Sequence, residues 1–297
     1  MNRLPVPTVP ERSVLPMSAV GVRNLPWRWP WWHAVAGERI TLWWVVVIHI
    51  TAAVGLILYP LPGWPVFLLT YALAWVGGIG TTVCYHRTLA HRALQLHPVV
   101  QAMLVFVAMY NGSGAPLSWT ANHRLHHATA DTPEDLSSPH IGGFWWAHLR
   151  WLWQAERASP ACYCPELDTA SFRAWQALQI PLLAVSFGGG LALGMAAFFW
   201  LGAIRLVFAL HGQCFVNSVS HLRPGARAGE DASHNVVWLA LWQGFQGENW
   251  HRNHHARPGA ARFGWTPGQV DLGWWVIVGL ERLGLATEVR RPRVLCD

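Results

Sequence analysis

The sequence predicts an all-α integral membrane protein, with four transmembrane helices in two hairpins and a histidine-rich cytosolic cap. Three observations lead there. Hydrophobic residues make up 53% of the 297 and charged residues only 12%, about half the charged share of a soluble domain. Four apolar runs are each long enough to cross a hydrocarbon core of about 30 Å at about 1.5 Å per residue. Histidines recur in close groups beside the ends of those runs.

In chain order, residues 1–38 form a Pro-rich tail that carries Arg3, Arg12, Arg23 and Arg28, and residues 39–297 form a single membrane domain. The cluster Trp27-Arg28-Trp29-Pro30-Trp31-Trp32-His33 suits the headgroup zone, where an indole has one apolar and one wet side. The first span is expected over 40–59. Pro60 to Pro65 then turn the chain without a charge, and the second span returns over 66–85. An uncharged far loop with the charges on the near side puts both termini in the cytosol, at a bacterial inner membrane or an equivalent bilayer. Residues 86–171 and 219–297 make the cap. Val99 to Tyr110 is apolar but too short to span, so it reads as an interfacial or buried helix. The third and fourth spans cover 172–191 and 196–218, with the turn among Gly188-Gly189-Gly190 and Gly194. Arg205 falls inside the fourth run, where an ionised group is costly; it either serves function or finds a carbonyl partner. A last apolar helix is expected near Val270 to Leu283.

The net charge is +6, and all 21 basic residues are Arg. A basic cytosolic face follows the positive-inside bias, and would also attract anionic lipid or a phosphate-bearing carrier such as a CoA thioester. No Arg-rich run stands apart from the hydrophobic segments, which argues against nucleic-acid binding. The five cysteines, Cys84, Cys162, Cys164, Cys214 and Cys296, are odd in number and lack CxxC spacing, so they read neither as a disulfide framework nor as a zinc site.

The chemistry lies in the histidines. His123-Arg124-Leu125-His126-His127 and His251-Arg252-Asn253-His254-His255 repeat one spacing, i, i+3, i+4, which puts three imidazoles on one helix face. His86 and His91 flank the end of the second span. Asn217 and His221, four apart, share a face at the end of the fourth. Nine neutral imidazoles suit borderline metals such as iron or zinc better than magnesium or calcium. They exceed one ion's capacity and would serve two ions at four or five positions each. Of the other histidines, His33, His49, His97, His140, His148, His211 and His234, only His49 is central to a span. A metal transporter or sensor should carry its ligands near the bilayer midplane, so that class fits poorly.

The order HxxxxH, HxxHH, NxxxH, HxxHH, with Gly143-Phe144-Trp145-Trp146-Ala147-His148 and Asn217-Ser218-Val219-Ser220-His221, resembles the membrane-bound acyl-CoA desaturase family of the stearoyl-CoA type, from about Thr41 to Arg293. The resemblance implies two irons held by His86, His91, His123, His126, His127, His221, His251, His254 and His255, with Asn217 holding one through water. It implies dioxygen as co-substrate and a tunnel beneath the metals for a saturated long-chain acyl thioester, by default acyl-CoA, desaturated at delta-9. It also implies a separate electron donor, a ferredoxin or a cytochrome with its reductase. A hydroxylase or acetylenase, or a desaturase acting on acyl carrier protein or lipid-linked chains, is the alternative. Trp119 matches a tunnel-wall position of the family. Ser113 stands where the family has Gln, Gln213-Cys214 where it has Thr-Trp, Ser137 for a His and Arg257 for an aromatic. Gly78 and Ala74, small residues two and three turns before His86, leave room at the tunnel's end.

Overall fold

The computed structural model describes residues 25–227 and 229–292; Arg3, Arg12, Arg23 and Cys296 lie outside them. Helix α1 (Arg39–Leu58) is apolar on all sides, the pattern of a segment with no face turned to water. Ile57 at its end is 78% exposed. Pro60 and Pro62 cannot continue the helix. Gly63 takes φ +86° and Pro65 opens α2 (Trp64–Ala90), where a missing N–H costs nothing. Helix α3 (Pro98–Tyr110) is capped by His97 and half buried through Val105, Ala108 and Met109. Helix α4 (Pro116–Thr129) carries the first histidine triplet.

Helices α5 (Ala170–Leu193) and α6 (Met195–Ser218) are separated by Gly194 alone, at φ +105°. The turn is tighter than the sequence reading had it, because one glycine in a conformation closed to other residues reverses the chain. Among the described residues α1, α2, α5 and α6 are the four helices long and apolar enough to cross a membrane. Of these, α2 and α6 are the more buried and pack on each other. The short α7 (His251–Ala256) carries the second triplet, and α8 (Leu272–Arg282) is capped by Asp271, whose Oδ1 accepts from the Trp274 N–H at 2.9 Å.

Two buried arginines pin these elements. Arg87, with no exposed surface, pairs with Asp271 at 2.9 Å, donates to the carbonyls of Ala261 and Gln246, and lies 4.0 Å over the Phe263 ring. It thereby fastens the segment between α7 and α8 onto α2. Among the described residues Arg205 is held by structural partners, among them the Leu201 and Tyr110 carbonyls, Asn111 Oδ1 at 2.8 Å and the Ser186 hydroxyl, which tie α6 to α3 and α5. An antiparallel pair, Gln95–Leu96 with Ala286–Thr287, joins the chain after α2 to the chain after α8. The aromatic cluster before α1 docks on residues 146–154, where Arg150, Trp153 and Gln154 donate to the carbonyls of Trp29, Trp31 and Pro30.

Candidate metal centre

The end of α2 is not α-helical. Gly80–Ala90 is a fully buried π-helix, whose wider turn is seen where the His91 N–H donates to His86 O, five residues back. In an α-helix at about 100° per residue, positions five apart point roughly 140° away from each other. The π-turn removes that divergence and brings the His86 and His91 rings to 5.2 Å. Such segments concentrate at functional sites, and the spacing HxxxxH has its physical reason here.

The two triplets lie on helices α4 and α7, as their spacing requires, and each divides between two groups. His86, His91, His123, His127 and His254 form the first; their converging nitrogens all lie within 4.8 Å of one another. His126, His221, His251 and His255 form the second, to the same limit. Thus α4 gives an i, i+4 pair to the first group and one imidazole to the second, and α7 does the reverse. Within the groups Nε2 faces Nε2, at 2.9 Å for His86 and His254, 2.8 Å for His91 and His123, and 3.1 Å for His126 and His221.

Four carboxylates stand behind the imidazoles. Glu248 meets Nδ1 of His86 at 2.7 Å, Asp135 that of His126 at 3.0 Å, Asp131 that of His221 at 2.8 Å and Asp231 that of His255 at 2.9 Å. A carboxylate only accepts, so each Nδ1 holds the proton and each Nε2 is left as a bare lone pair. His126 and His221 then turn two lone pairs on each other at 3.1 Å, which is repulsive unless a cation lies between them. One proton can satisfy one such pair. For most of the cluster a proton is the wrong cation: burial first, then neighbouring imidazoles, hold His91, His123, His127, His251 and His254 well below the usual imidazole range, and burial pushes His255 down to about 4. His126 differs. Burial works against its charge, but Asp135 outweighs that and raises it. Burial also works against the Asp131 anion, yet the His221 hydrogen bond brings it down to about 2. The donor set therefore fits metal ions with borderline preference for nitrogen.

A cavity of about 750 Å³ opens beneath the two groups. His86, His123, His126 and His251 line its roof, and all six residues singled out for a tunnel, Trp119, Ser113, Gln213, Cys214, Ala74 and Gly78, line its walls, as does Asn217. Trp119 stacks on His123 at 4.8 Å, and the Ser113 and Thr81 hydroxyls meet at 2.7 Å. Gly78 admits Gln246 against its backbone, a use of its small size for close packing, and Asn111 donates to the Ala74 carbonyl.

Sequence reasoning did not find the four carboxylates. Only Glu248 had a signal, as an acid three residues before His251. Nor did it find the chain formed by three histidines outside the groups. His49 Nε2 lies 3.1 Å from His211, His211 Nδ1 2.8 Å from His148, and His148 Nδ1 2.8 Å from the Ser218 hydroxyl, which follows Asn217 in sequence. Val45 O accepts from His49 Nδ1, so His211 and then His148 must donate through Nε2 along the chain. His140 donates to the His221 carbonyl at 2.8 Å.

The comparisons agree with this geometry. The family model for fatty acid desaturases matches residues 62–264. A delta-9 acyl-lipid desaturase of Arabidopsis thaliana is 33% identical over 77% of this chain and 76% of its own length. An acyl-CoA 5-desaturase of Anemone leveillei is 36% identical over 77% and 73%, and an sn-1 stearoyl-lipid 9-desaturase of Anabaena variabilis 34% identical over 76% and 85%. With its histidines gathered in two groups above a cavity, and with relatives of this closeness over most of its length, the chain belongs to the fatty acid desaturase family.

Proposed function

We propose that the protein is an O2-dependent di-iron desaturase of four membrane spans that introduces a cis double bond, by default at delta-9, into a saturated long-chain fatty acyl group. The observation that carries this reading is the pair of buried imidazole groups with opposed lone pairs, set as the roof of a cavity large enough for a long chain. In it His86, His91, His123, His127 and His254 hold one iron, and His126, His221, His251 and His255 the other, with Asn217 adding a water.

What iron supplies when bound is oxidising power: dioxygen, two electrons and two protons become two waters as two hydrogens leave adjacent methylenes. An unactivated C–H has no acidic proton for a side chain to take. The chain's own residues do the rest. Glu248, Asp131, Asp135 and Asp231 fix the tautomers that direct Nε2 inward. Trp119, stacked on His123, forms the wall that holds the acyl chain beneath the roof, and the position of that wall selects one methylene pair among chemically equal ones. Burial of the imidazoles keeps bulk water from the reacting carbons. Electrons come from a separate one-electron donor, a ferredoxin or a cytochrome. The near-side charges support both termini lying in the cytosol.

The test is product mass from purified enzyme supplied with oxygen, a saturated stearoyl substrate and a ferredoxin reducing system. Loss of two hydrogens is expected. Gain of one oxygen would make the enzyme a hydroxylase. Both carrier classes occur among the names of the relatives, so the mouth of the cavity has to decide the carrier.

A further inference from the structure

The cavity reaches the surface between two spans. Most of its lining residues with open surface lie at the start of α1, where Ile40 is 56% exposed, and along α5, where Ile180 is 60% exposed and Gln176 and Ala184 are also open; Tyr71 on α2 and Arg157 are the other large exposed ones. Helix α1 packs on α6 rather than on α5, and this leaves a cleft between them. Trp44 and Phe187, with rings 5.8 Å apart, bridge it deeper in. The upper rim is polar through Glu38, Thr41 and Gln176, and the walls below are apolar through Ile40, Trp44 and Ile180.

The cavity's own lining carries little charge to offer, although Arg39, the exposed first residue of α1, stands between Glu38 and Ile40. Among the described residues Arg157 is the one arginine lining the cavity, and both Glu38 oxygens hold it, at 2.8 and 3.0 Å. Arg173, one turn before Gln176, is bound to Asp168 at 2.7 Å. A CoA carrier brings several phosphate charges, which call for arginines free to form charge-assisted pairs. A glycerolipid brings an ester at the headgroup level and a chain already in the bilayer. One exposed arginine, Arg39, is few for several phosphates, and a sideways cleft with apolar walls, whose single lining arginine is already paired with Glu38, matches the second better.

We propose that the cavity is loaded laterally from the bilayer, through the cleft between α1 and α5, with an acyl chain still esterified to a glycerolipid. The proposal rests on the desaturase reading for its chemistry but not for its route.

Two measurements on the metal-loaded full chain separate them. In vesicles of phosphatidylglycerol bearing a mid-chain diazirine, photolysis should label Trp119 and Ser113, which lipid outside the cavity cannot touch. A tenfold excess of stearoyl-CoA should leave that label unchanged. Ile180→Trp and, independently, Ile40→Trp should cut it at least about fivefold with metal content intact. Displacement of the label by stearoyl-CoA, or its indifference to both plugs, would overturn lateral loading. Under turnover, the double bond should appear in lipid-bound chains at least tenfold faster than in stearoyl-CoA. Turnover of stearoyl-CoA alone would overturn the lipid carrier and leave the desaturase standing. A double bond in neither pool would sink the desaturase reading, and the labelling would still decide the route.

Discussion

Asp131 shows how much one side chain can hold. Its Oδ2 accepts from His221 Nδ1 and from the Ala232 N–H, both at 2.8 Å, and its Oδ1 accepts from the Ser138 hydroxyl at 2.7 Å. Asp131→Asn keeps the shape but removes the charge, and an amide nitrogen turned to His221 would donate, forcing the proton onto Nε2. Losing such a carboxylate typically costs about 10–100-fold in metal affinity. We expect D131N to weaken the four-histidine group by that factor while the five-histidine group, which Asp131 does not touch, keeps its ion. Metal analysis after mild chelation should fall from two ions per chain toward one; two retained ions would remove Asp131 from the site. The two triplets, and His221 with Asn217, were legible because a face repeats every three or four residues; His86 and His91, five apart, were marked by their place at the end of the second span. The carboxylates were not, because their partners stand 9, 24, 90 and 162 residues away, and no local period records such a contact.

At the scale of elements, the spans were legible from apolar length, but their ends and spacing were not. The sequence reading stopped the second span at 85, whereas the helix runs to Ala90 because the π-turn keeps it wound past His86 as far as its capping residue His91. Similarly, Gly202 looks like an ordinary small residue in an apolar run, yet its Cα faces the Phe187 carbonyl so closely that an added Cβ would collide with backbone. Small residues let membrane helices approach where the hydrophobic effect gives no help. Gly202→Leu should therefore push α6 from α5 and cost about 1–3 kcal/mol, as overpacking does. Gly188→Ala, with open space around it and a helical φ of −95°, is the control. Thermal unfolding in detergent should show a lower midpoint for G202L and an unchanged one for G188A. Equal midpoints would mean that the two helices can slide apart without loss.

Across the whole molecule, the histidines cross-link what the chain leaves apart. They span 86 to 255 in sequence, and the groups share α4 and α7, so neither group can relax without moving helices that serve the other. Helix packing adds to that coupling through α2, whose end lies against α4, while α1 and α5 face outward over most of their length. Nine imidazoles at such close range, most unable to accept a proton while buried, must repel one another when stripped of ions. The binding free energy of the two proposed metals would therefore be partly folding free energy. Chelation of the purified protein should lower its unfolding midpoint by several degrees. Returning iron(II) should restore it along a curve that bends at two equivalents per chain, with most of the gain arriving only with the second ion, because each ion completes half of two shared helices. A bend at one equivalent would mean that the two groups act as a single site. A midpoint indifferent to chelation would mean that helix packing alone, and not the metal, holds α4 and α7 in place.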